Sequence, residues 1–157
     1  MTKARAAPTK QDLFDYFVRL TALLGLEAWE FYLGDDGPGE GVGAYLTDAS
    51  IEINDHAQMA TVSIADHLLE PDKGTPEYLR RVFVHEALHC HRQKTASMVR
   101  LDLEALLGKT ADALFWSSYA RLREHEIEAL ARVIAPHYPL PPWTAQLTRR
   151  RRGAYTR

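Results

Sequence analysis

Cysteine, long apolar runs and net charge are all scarce in this chain, and each shortage removes a class of function. Cys90 is the only cysteine among the 157 residues, so no internal disulfide can form, and a lone thiol suits a reducing compartment. No apolar run approaches the ~20 residues that a membrane-spanning helix requires. The opening residues, Met1 to Arg5, are not followed by the apolar stretch of a secretory leader. These absences make the cytoplasm the expected address, with no membrane partner. Repeats and low-complexity tracts are lacking too. The formal net charge is only -2, yet Arg149, Arg150, Arg151, Arg152 and Arg157 carry five positive charges at one end. Such an end can touch nucleic acid weakly, although a run of this kind is ordinarily just solvated.

What remains is the composition of one globular domain, with 46% apolar and 25% charged residues and enough mass to bury a core. Between Gln11 and Leu26 the apolar positions Leu13, Phe14, Phe17, Val18, Leu20 and Leu24 recur at helical spacing, and Gly25 suits the residue that ends a helix. Trp29, Phe31 and Leu33 alternate with Glu30 and Tyr32, as in a half-buried strand. The stretch Gly34 to Gly43 is rich in turn formers. No Gly-Lys-Ser/Thr follows it, so it reads as a connection rather than a phosphate cradle.

Two further strands are expected, one with Ala49, Ile51 and Ile53 on one face and one from about Ala60 to Ala65, giving a small antiparallel sheet. After Gly74 the pattern turns helical. Thr75, Pro76 and Glu77 are suited to cap, first position and first turn. Helices are expected over about 76–92, 97–116 with an interruption at Gly108, and 118–135. The fold class is therefore α+β, with a single domain over 1–138 and an extended basic tail over 139–157.

Within the first of these helices lies His85-Glu86-Ala87-Leu88-His89. Residues four apart stack on one helical face, so the two imidazoles converge on one point. Two neutral imidazoles suit Zn²⁺, which then needs a third protein ligand from elsewhere. Glu86 is rotated to the flank, where a carboxylate can take a proton from water without occupying the metal's coordination shell. Composition alone yields such a match in roughly 2% of chains of this kind. The preceding Val82-Phe83-Val84 also buries the helix, and a buried polar side chain requires a partner. Downstream, Glu124, Glu126 and Glu128 fall on the third expected helix. Glu124 and Glu128 share a face, so one can bind metal while the other receives the remaining N–H of a ligating histidine. Glu126 points nearer the stripe of Leu122, Leu130 and Val133. His91 lies about 200° round the helix from the ligand face, and Cys90 reads as a small apolar group. Tyr119 and His125 are the nearest candidates to donate a hydrogen bond to a developing oxyanion.

His85-Glu86-Ala87-Leu88-His89, followed by Glu124, Ile127, Glu128, Leu130 and Ala131 with Pro136 beyond, resembles the gluzincin pattern. More narrowly it resembles the small phage and prophage zinc peptidases and the ImmA/IrrE-type peptidases. The resemblance implies a minimal zincin-like fold, Glu124 as third ligand and Glu128 as the carboxylate behind a ligating histidine. It also implies that the strand at about 60–65 binds an extended peptide along its edge. The expected activity is hydrolysis of peptide bonds with Glu86 as general base. The competing expectation is a binding protein stapled by zinc, which contacts protein through its helical half or nucleic acid through Arg149 to Arg152. A purely structural site, however, has no use for Glu86 and ordinarily closes with four protein ligands.

Overall fold

The computed structural model describes residues 7–35 and 48–143. Helix α1 spans Lys10–Leu23 and begins with a reciprocal cap. The Thr9 hydroxyl accepts from the Asp12 backbone N–H at 3.1 Å, while the Thr9 N–H donates to the Asp12 carboxylate at 2.8 Å. It ends in a left-handed residue, Gly25 (φ 79°), with Leu26 N–H donating to Thr21 O and Gly25 N–H to Ala22 O. These two bonds occupy carbonyls that the last helical turn leaves open.

Strands β1 (Glu30–Leu33), β2 (Ala49–Asn54) and β3 (Met59–Ile64) form one sheet in the order β1-β3-β2. The α+β class is as expected, but the sheet is mixed: β2 pairs antiparallel with β3, whereas β1 runs parallel to it. The β2–β3 connection is short enough for a hairpin. The longer link from β1 to β2 lets β3 insert between them. One consequence bears on function. β3, the strand expected to offer its edge to a peptide, is paired on both sides, so among the described residues the outer strands of the sheet are β1 and β2.

Helix α2 runs Pro76–Ile134 and is broken at Gly108 alone, where φ is 74° and ψ 164°. The helix continues through 93–96 and 117, where breaks between separate helices were expected. Neither stretch holds glycine or proline, so nothing there interrupts the hydrogen-bond ladder. At Gly108 the chain reverses, and residues 109–134 return along 76–107: Arg92 meets Glu126, His89 meets Glu124, and His85 meets Glu128. Phe83, Val84, Ala87 and Cys90 turn inward from the first arm, against Phe17 and Leu20 of α1 and Val62 and Ile64 of β3. Phe83 packs edge-on to Phe17, with ring centroids 5.8 Å apart. Among the described residues no helix is long and apolar enough to cross a membrane.

The expected tail boundary at 138 shifts. Residues 139–143 pack on the domain: the Tyr16 hydroxyl donates to Pro139 O at 2.8 Å, the Tyr16 and Trp143 rings lie 5.9 Å apart, and Pro141 is buried. Arg149, Arg150, Arg151 and Arg152 lie outside the described residues. Truncation after Tyr138 should therefore remove the partner of a buried phenol and expose its ring, lowering unfolding free energy by about 2–4 kcal/mol. Urea denaturation of the shortened chain checks this; an unchanged midpoint would return residues 139–143 to the tail.

Candidate metal centre

The reversal at Gly108 sets two i,i+4 pairs face to face, His85 and His89 on one arm and Glu124 and Glu128 on the other. His85 Nε2 and His89 Nε2 are 3.2 Å apart, and Glu124 Oε2 lies 3.4 Å from the first and 3.5 Å from the second. Three donor atoms thus form a nearly equilateral triangle. Zinc–ligand bonds of about 2.0–2.2 Å in a tetrahedron give donor–donor edges of about 3.3–3.5 Å. The observed edges match that face closely. These three residues are also the group of His, Cys, Asp and Glu side chains, among those described, whose donor atoms could together hold a metal ion.

The fourth residue of the two pairs, Glu128, lies behind His85 and favours the tautomer protonated at Nδ1. His85 Nδ1–H donates to Glu128 Oε2 at 3.3 Å, which leaves the Nε2 lone pair free to point into the triangle. Glu128 is itself held by Arg132 Nε at 2.7 Å and lies 3.9 Å from Arg81 Nε. Burial works against its charge, but Arg132, Arg81 and His85 together keep Glu128 below the ordinary carboxylate range.

Glu86 has the opposite environment. It is 7% exposed, and burial pushes its carboxyl up to about 8, opposed by His85 and reinforced by the charges of Glu124 and Asp48. Glu124 is half exposed, and the two imidazoles hold it well below the usual range. Two carboxylates at one site are thus driven apart in acidity, the pattern that separates a proton carrier from a permanently charged group.

The cleft above these residues has a volume of about 390 Å³ and is walled by Ala49, Ser50, Ile51 and Ile53 of β2, with Gln93 and Arg123 beside the histidines and Glu124. Neither a family model, nor a curated protein, nor a solved structure matches this chain. The site is therefore read from its own geometry.

Of the residues singled out from sequence, His85, Glu86, His89 and Glu124 meet at the cleft, with Glu128 directly behind His85. Glu126 turns away to Arg92 at 2.9 Å. Tyr119 is not brought to the cleft: it stacks on Phe115 and meets Trp116 edge-on at 4.9 Å. Five residues separate it from Glu124, which turns it about 140° away on the same helix. His125 is exposed and does not line the cleft. His91 is exposed, as expected, and donates from Nε2 to Leu24 O at 2.8 Å. Sequence reasoning missed Arg123, Gln93 and the β2 wall. It also missed Asp48, whose carboxylate sits between His67 Nε2 at 2.6 Å and the Tyr78 hydroxyl while its charge reaches Glu86. Only the alternation of Ile51 and Ile53 hinted at any of these.

The acidity of Glu86 has a measurable consequence in the metal-free protein. Its folded-state pKa lies above the ordinary 4.5, so the folded chain keeps a proton that the unfolded chain has released. Stability from this group is full below about 4.5 and is lost as pH rises towards 8. Glu124 acts with the opposite sign, stabilising above the ordinary range and losing that contribution in acid. With chelator present, Glu86→Gln should lose less stability than the wild type between pH 5 and 8, and should be the more stable protein at pH 8. Urea midpoints across that window test the sign; parallel curves for both proteins would mean that Glu86 ionises freely in the fold.

Proposed function

We propose that this protein is a zinc-dependent peptidase that hydrolyses amide bonds at the His85–His89–Glu124 cleft. The observation that carries the reading is the triangle of donor atoms with a buried glutamate at its flank and one side open to the cleft. When bound there, zinc supplies Lewis acidity, which polarises an amide carbonyl and lowers the pKa of water from 15.7 to about 7. His85, His89 and Glu124 would hold it, and Glu128 would orient His85 through Nδ1–H. Glu86 takes a proton from the attacking water and returns it to the departing amine nitrogen. A carboxyl whose surroundings favour its neutral form is well suited to that second transfer.

Of the two outer strands, β2 is the one that walls the cleft, so in this reading an extended substrate adds to the edge of β2 rather than to β3. No side chain at the cleft favours a purely structural staple, and the half-exposed Glu124 leaves the site accessible, unlike a closed four-ligand centre. A single buried thiol, Cys90, suits a reducing compartment, and the reading puts the activity in the cytoplasm.

The decisive experiment pairs metal analysis with substitution. Wild type should purify with zinc near one per chain, and His85→Ala and His89→Ala should lose it along with the thermal stability that ligand binding adds. Glu128→Ala should retain the site but bind zinc roughly 10–100-fold more weakly. Glu86→Gln should keep its zinc while amide hydrolysis drops by about 10²-fold or more. Full zinc occupancy in either histidine variant would sink the proposal; loss of zinc from Glu86→Gln would instead make Glu86 a ligand.

A further inference from the structure

Among the described residues Arg123 has no counter-ion, and it stands at the wall of the cleft. Its Nε is buried and has no hydrogen-bond partner, and its side chain lines the same cavity as His85, His89 and Glu124. The neighbouring carboxylates are committed elsewhere. Glu124 faces the two imidazoles, Glu126 pairs with Arg92, and Glu128 serves His85, Arg132 and Arg81. Asp112, near the start of the same arm, accepts from the Trp116 indole. A guanidinium cannot shed its proton to relieve burial, since its pKa exceeds 12. Leaving one of its N–H groups buried and unpaired is unfavourable, and a ligand that supplies an acceptor to the guanidinium offsets that cost. The planar fork of donors is matched by a carboxylate better than by any other group a peptide carries.

The geometry points to Arg123 as the residue that selects substrate: it receives a carboxylate of the peptide close to the scissile bond. This inference rests on the peptidase reading, because it is that reading which lays an extended chain between β2 and the second arm of α2. Arg123 precedes Glu124 directly, so whatever it grips lies within a residue or two of the bond held at the donor triangle. The carboxylate has two sources in a peptide, an Asp or Glu side chain or the free C-terminus, and both present the same two oxygens.

Zinc-loaded Glu86→Gln protein serves as the test, because it binds peptide without consuming it. The probes are fluorescein-labelled heptapeptide amides with one glutamate moved through the sequence, the matching glutamine peptide amide, and that glutamine peptide with a free C-terminus. Fluorescence anisotropy reads binding, and zinc content is measured for every preparation. At one glutamate position the peptide should bind roughly 10–100-fold more tightly than its glutamine counterpart, as a charge-assisted hydrogen-bond pair provides. If only the free-acid peptide gains, the C-terminal carboxylate is the source. Arg123→Gln on the same background should abolish the gain while zinc stays bound, and Arg123→Lys should restore part of it, keeping charge without the fork. Equal binding of acidic and neutral peptides to zinc-loaded protein, strong or weak, overturns the assignment and leaves the peptidase reading standing. So does a loss of affinity in Arg123→Gln that is the same for both peptides, which would make Arg123 a contact to the backbone. A wild-type protein that takes up no zinc overturns the peptidase reading instead.

Discussion

Reversal of the chain at Gly108 is the constraint from which the site follows. Its backbone, φ 74° with ψ 164°, lies where essentially only glycine rests without strain. A side chain there would meet open space, so the restriction is conformational rather than steric crowding. Because the reversal is so tight, the two arms of α2 return antiparallel, and their four-residue repeats fall into register. His85 comes opposite Glu128 and His89 opposite Glu124. A slip of one residue in that register would turn every partner about 100° round its helix. The donor triangle would then dissolve, although each arm would remain a good helix.

That register also decides the electrostatics. Three carboxylates, Glu86, Glu124 and Glu128, crowd round two histidines, an arrangement that favours a cation at its centre. Without one, the protein distributes the strain unequally. Glu124 stays charged because two imidazoles face it, Glu128 because two arginines and His85 surround it, and Glu86 retains its proton because it is buried. The arginines Arg81 and Arg132 therefore act on the donor triangle at one remove. They hold Glu128 in place, Glu128 holds His85 Nδ1, and the Nε2 lone pair is thereby aimed.

How much of this was legible in the sequence depends on whether the cause was local. The helix end at Gly25, the period-two strands and the His85–His89 pair all follow from residues within a few positions of one another, and each was readable for that reason. The sheet order was not, because whether β1 and β2 pair directly or admit β3 between them is settled by packing and link length. The helix breaks were misjudged for a related reason: polar stretches such as Gln93-Lys94-Thr95 suggested loops, yet nothing in them opposes a helix, and tertiary contact with the other arm carries the helix through. At the site, the position of Tyr119 in sequence hinted at a catalytic group, but helical phase places it among Phe115 and Trp116. Arg123 was unremarked since one arginine in a charged helix has no local signature.

The sheet and the helical hairpin meet in a way that neither dictates alone. β3 takes the centre of the sheet, its Ala60, Val62 and Ile64 sealed against the core, so its backbone is fully committed to neighbours. That commitment leaves β1 and β2 as the outer strands, and of the two β2 is the one that walls the cleft beside the first arm of α2. An open edge is ordinarily a liability, because its unpaired N–H and C=O groups recruit other chains. Here it stands beside a polar cleft flanked by the second arm, where the proposed function would have it receive an extended substrate. The same topology that pairs β3 on both sides thus sets an outer strand beside the donor triangle, and the insertion of β3 between β1 and β2 is what links the fold to the proposed chemistry.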